Sequence, residues 1–124
     1  KWDDALLLCR YILSESPSHI DTKILTGRLH IWKGNYEESV KILKECIAMN
    51  PNYIDSYAAL FDVYFWYDKY AEGLALVDIV QENSASANEI GSKISRAKNV
   101  ARKAGIKTYK SANAKDKNIL ASVE

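Results

Sequence analysis

Pro17 and Pro51 stand 34 residues apart, and the same interval separates much else in the chain. Trp2, Tyr36 and Tyr70 step by 34, as do Trp32 with Trp66, Ile20 with Ile54, Asp21 with Asp55, and Glu38 with Glu72. So many unrelated residue types agreeing on one number mark a structural repeat. A unit of that length cannot bury its own apolar face, so the chain folds only if neighbouring units stack.

Within a unit the pattern is two helices and a short turn. Residues 21–33 hold no Pro and one Gly, with Leu25, Leu29 and Trp32 at helical spacing. Gly34-Asn35 ends that helix, since Gly adopts the left-handed conformation that closes a last turn. Residues 36–49 carry Val40, Leu43 and Ile47 along a second stripe. Pro51 stops it by disfavouring helix at Asn50. The next unit repeats this with helices at 55–67 and 70–81, a turn at Asp68-Lys69 and a Ser/Ala-rich loop at 83–87. A further helix is expected at 88–104, apolar at Ile90, Ile94, Ala97 and Ala101 and ended by Gly105. Its cations Lys93, Arg96, Lys98, Arg102 and Lys103 suit the polar outer face with which a stacked array ends.

A 34-residue period with these features resembles the tetratricopeptide repeat family, whose motif places Leu-Gly, an aromatic, Gly-x-Tyr, small residues and a closing Pro along one unit. Residues 20–53 supply Gly27, Gly34, Tyr36, Leu43 and Pro51, and depart at Lys23, Thr26, His30 and Ser39. Residues 54–87 supply Tyr57, Leu60, Tyr64 and Tyr70, with Gly73 for the small residue and Ala85 for the Pro. Trp2, Ala5, Ile12 and Pro17 match the second half of a unit. The resemblance implies an all-α fold, a right-handed superhelix of αα-hairpins over residues 1–105. Its parts would be a half unit at 1–19, full units at 20–53 and 54–87, and a capping helix at 88–105. Residues 106–124 would be a basic tail, either one more helix or disordered. A narrower likeness lies in Gly27-Arg28-x-x-x-Trp32-x-Gly34-x-Tyr36 and Asp62-Val63-x-x-Trp66, which resemble the repeats ahead of the outer-membrane β-barrel in YaiO-type envelope proteins. It implies a periplasmic or outer-membrane-associated location, a cytoplasmic one being the alternative.

Composition narrows the function classes. Of the 124 residues 48% are hydrophobic and 27% charged, enough to bury a core, and no apolar run is long enough for a transmembrane helix. Residues 1–87 carry 8 basic against 13 acidic side chains, and residues 88–124 carry 9 against 3. The basic end has a single aromatic, Tyr109, so it offers no stacking platform and nucleic acid is not an expected partner. Cys9 and Cys46 lack CxxC spacing and read as small buried hydrophobes. His30 reads as a packed side chain and His19 as a solvated turn residue. Neither has a nucleophile beside it, and there is no phosphate loop and no HExxH. The chain is not expected to be an enzyme or to hold a cofactor or metal.

The family resemblance implies instead a protein or peptide partner held in a concave groove. The groove is lined by the second, fifth, ninth, twelfth and thirteenth residues of each unit's first helix. Here those are Asp21, Ile24, Arg28, Ile31 and Trp32, then Asp55, Ala58, Asp62, Phe65 and Trp66, then Glu89, Ser92, Arg96, Asn99 and Val100. The Lys and Asn of carboxylate-clamp members are missing, so chaperone tails are not expected. Arg28, Asp62 and Arg96 alternate in sign, and either satisfy one another as a ladder, which opposite neighbours favour, or present cations to a ligand carboxylate. Trp32 and Trp66 form either an aromatic shelf for a side chain or sugar face, or plugs between units, which stacking favours. Glycan binding and self-association, the latter through the face of helix 21–33, are the alternatives to a peptide partner.

Overall fold

The computed structural model describes residues 1–82 and 90–106, and all of its regular elements are α-helices. They are α1 (Trp2–Glu15), α2 (Ile20–Trp32), α3 (Tyr36–Met49), α4 (Ile54–Trp66), α5 (Tyr70–Glu82) and α6 (Gly91–Lys103). The fold is therefore all-α, and its helix ends fall where Pro17, Gly34 and Pro51 place them. The expected loop at 83–87 and the expected tail helix beyond 106 lie outside the described residues.

Two kinds of turn alternate along the chain. After α2 the backbone N–H of Asn35 reaches the His30 carbonyl at 2.8 Å around Gly34, whose φ is 88°. After α4, Lys69 reaches Tyr64 at 2.9 Å around Asp68 (φ 55°), and after α6, Ile106 reaches Ala101 at 3.0 Å around Gly105 (φ 82°). Each bond satisfies a carbonyl that the helix end would otherwise leave open. The other turn follows α1 and α3. His19 N–H donates to Ser16 O at 3.0 Å, and Tyr53 N–H to Asn50 O at 3.1 Å, with Pro17 and Pro51 second in each turn. Proline's fixed φ suits that position and bars helix in the residue before it.

Helix starts are equally local. His19 caps α2, its ring Nδ1 accepting from the Thr22 N–H at 3.3 Å, a role usually filled by Ser or Asp. His19 is thus the exposed turn residue the sequence suggests, and it caps the helix as well. Asp21, Glu37 and Glu38 lie in first turns, where the helix dipole favours carboxylates.

Consecutive helices pack together, and α2 also meets α4 as α4 meets α6. The α2–α3 pair is antiparallel: Lys23 bridges to Glu45 at 3.1 Å, and Ser39 Oγ donates to the Gly27 carbonyl at 2.7 Å. Likewise Lys33 at the end of α2 bridges to Asp3 at the start of α1. Helix α4 is central, with Tyr57, Leu60, Phe61, Val63 and Tyr64 fully buried. The Tyr57 hydroxyl donates to the Pro51 carbonyl at 2.6 Å and so ties the turn to the core. Cys9 and Cys46 are free and buried, and burial pushes the Cys46 thiol up to about 12.

Candidate functional site

The face shared by α2, α4 and α6 is organised by one carboxylate. Arg28 Nη1 donates to Asp62 Oδ2 at 3.3 Å, and Lys93 Nζ donates to Asp62 Oδ1 at 2.5 Å. All three side chains are partly exposed, so each pair adds only ~0–1 kcal/mol. The cluster orients side chains more than it stabilises the fold, and it leaves one positive charge in excess.

The expected ladder used Arg96 as its third rung, and the structure puts Lys93 there instead. Helix α6 starts at Gly91 rather than 88, and its third residue lies beside Asp62, the ninth of α4. The 34-residue interval that aligns Arg28 with Asp62 becomes 31 between Asp62 and Lys93. Arg96, one turn further along, lies over the Phe65 ring with its guanidinium carbon 4.3 Å from the centroid. Lys93 is thus a residue the repeat arithmetic missed. Ala85 in place of the closing Pro was the available sign that the register changes there.

Of the other expected residues, Ile24, Ile31 and Phe65 are buried in the core, although Ile24 also lines a cavity on this face and Phe65 lies under Arg96. Helices α2 and α4 have neighbours on more than one side, which turns those positions inward. Trp32 and Trp66 are 45% and 53% exposed, so they do not plug the space between units. Each lies one helical turn beyond Arg28 or Asp62 and shares its face.

An open cavity of about 250 Å³ lies at the other end of this face, lined by Asp21, Ile24, Leu25, Arg28 and Asp55. The Tyr53 hydroxyl donates to Asp21, and that bond pushes its pKa up to about 12. The face is therefore graded along the helix axes. On α2 and α4 acids occupy the first turns and exposed indoles the last, with a net cationic cluster between them to which α6 adds Lys93 from its own first turn.

A second open cavity, about 240 Å³, lies among α1, α2 and α3, where Leu6, Leu13 and Ile42 meet Arg10, His30 and Glu38. His30 is half-buried there and shares a 3.3 Å contact from its Nδ1 to Asn35 Nδ2. Among the described residues no group of three His, Cys, Asp or Glu is placed to hold a metal, and no helix is long and apolar enough to cross a membrane. Compared with protein-family models, with curated proteins and with solved structures, the chain matches none of them.

Proposed function

We propose that this chain is a non-catalytic interaction module, a tetratricopeptide-like stack of αα-hairpins whose α2/α4/α6 face holds an extended peptide segment of a protein partner. The observation that carries this reading is the grading of that face. A basic side chain fits the cavity walled by Asp21 and Asp55, a carboxylate fits beside Arg28, Lys93 and Arg96, and an apolar side chain fits against Trp32 and Trp66. Aromatic and Arg side chains supply most of the affinity in interfaces of this kind. The repeat interval and the recurrence of both turn types support the stacked-hairpin reading.

Selecting displayed peptides on the immobilised protein tests it. Enriched sequences should combine a basic, an apolar and an acidic position, and Arg28→Glu and Trp66→Ala should each weaken them with the helical circular dichroism unchanged. Selection that yields no consensus, or binding indifferent to both substitutions, would sink the proposal.

The half-exposed indoles favour a second reading, a sugar face stacked on Trp32 and Trp66. Titrating the tryptophan emission with glycan fragments separates the two. The envelope location rests on the narrower YaiO-type likeness, and cell fractionation of the native protein tests it.

A further inference from the structure

We propose that the cavity among α1, α2 and α3 is a binding site for a free aromatic α-amino acid. Its volume of about 240 Å³ lies below the ~300–1,000 Å³ of drug-sized sites, so its occupant is small. Helix α2 packs on both α1 and α3, which therefore flank it as two walls over one floor.

The repeat shows that particular residues leave this space open. At the 34-residue interval Thr26 and His30 on α2 correspond to Leu60 and Tyr64 on α4. The apolar wall residues Leu6, Leu13 and Ile42 correspond to Val40, Ile47 and Leu76, so the walls are alike in both units. The floor is what differs. Leu60 and Tyr64 are each 1% exposed, whereas Thr26 and His30 are half-buried and border the cavity. An isobutyl group and a phenol ring in one unit give way to a shorter hydroxyl side chain and a smaller ring in the other. Protein interiors are filled to native density, so a space opened by two residues on successive turns has room for a ligand. An aromatic side chain restores there what Tyr64 supplies in the next unit.

Charge sets the rest of the ligand. Arg10 of α1 and Glu38 of α3 line the cavity from opposite walls. Among the described residues neither makes an ion pair or a side-chain hydrogen bond. One cation and one anion beside a single apolar space suit a zwitterion, its carboxylate on the guanidinium and its ammonium on Glu38. Thr26 Oγ1 donates to the Thr22 carbonyl at 2.9 Å, so it offers the cavity an acceptor and no donor, which also suits an ammonium. A ligand with one charge would leave Arg10 or Glu38 unanswered. Thr26 and His30 lie half a turn around α2 from Arg28, so this site is separate from the proposed peptide face.

Isothermal titration calorimetry of the full chain with L-phenylalanine tests this. One molecule per chain should bind, while N-acetyl-phenylalanine and phenylalanine methyl ester, each lacking one charge, should bind about tenfold more weakly or worse. Arg10→Ala and Glu38→Gln, both at exposed positions, should each cost a similar factor with the helical circular dichroism unchanged. Thr26→Leu combined with His30→Tyr gives this floor the side chains of the next unit, and should abolish binding in a chain that still folds. No heat at millimolar L-phenylalanine would overturn the proposal. So would binding that survives the filled floor or both charge variants, or derivatives that bind as tightly as the amino acid itself.

Discussion

The helix pairs α2–α3 and α4–α5 share an interval and the same kind of turn, yet they close with opposite complementarity. In the first, the small residue lies on the leading helix. A Cβ on Gly27 would sit 2.8 Å from Leu43, and the Ser39 hydroxyl bonds the Gly27 carbonyl. At the equivalent places the second pair has Phe61, Val77 and Gly73. Bulk lies on the leading helix and the gap on the following one. A Cβ on Gly73 would meet Tyr64 and Ala97 only at 3.9 and 4.0 Å. What recurs between units is therefore the volume summed across the pair rather than the residue at each place, as expected where cores must be filled to native density.

The strongest way to break this comparison is Phe61→Ala. It removes a fully buried ring from the central helix, and urea denaturation should show a loss of ~3–5 kcal/mol. Next is Gly27→Ala, which should cost ~1–3 kcal/mol because Leu43 has nowhere to move. In a Leu43→Ala background the same substitution should cost markedly less, and simple additivity of the two would refute the close approach. Gly73→Ala is the control, and should be close to neutral.

This difference was only partly legible in the sequence. The all-helical character was legible because Pro17, Pro51 and Gly34 act through local sterics that no tertiary contact overrides. The pairing of Arg28 with Asp62 was legible because equal register on neighbouring helices puts them side by side. Burial of Ile24, Ile31 and Phe65 was not, since it depends on how many helices surround α2 and α4. Nor was the half-exposure of Trp32 and Trp66, which depends on how far the neighbouring helices extend past the last turns of α2 and α4. The third rung was misassigned to Arg96 because the interval does not carry into α6.

A third effect tests both helix pairs at once. Cys46 in α3 and Tyr57 in α4 are buried, and burial raises each to about 12, from ordinary values of 9.0 and 10.0. A raised folded pKa means that stability is complete below the ordinary value and is lost as pH climbs towards 12. The melting temperature should hold to about pH 9 and then fall. Val80 occupies the place of Cys46 in α5, so Cys46→Val should remove part of that fall while costing under ~1.5 kcal/mol at neutral pH.

The turns sharpen the comparison at smaller scale. Gly34→Ala forces a side chain into left-handed backbone and should cost ~1–2 kcal/mol. Asp68 already occupies that conformation, and its Oδ1 accepts from the Tyr70 hydroxyl at 2.8 Å. Asp68→Gly gives up that bond but relieves the strain, and should shift stability by less than ~0.5 kcal/mol.

The three tryptophans offer the most direct test of the binding face. Each indole N–H gives its own ¹⁵N–¹H signal. On titration with a selected peptide, the Trp32 and Trp66 signals should move together while that of Trp2, on α1, stays in place. Movement of Trp2 alone, or of none of the three, would contradict recognition by the α2/α4/α6 face.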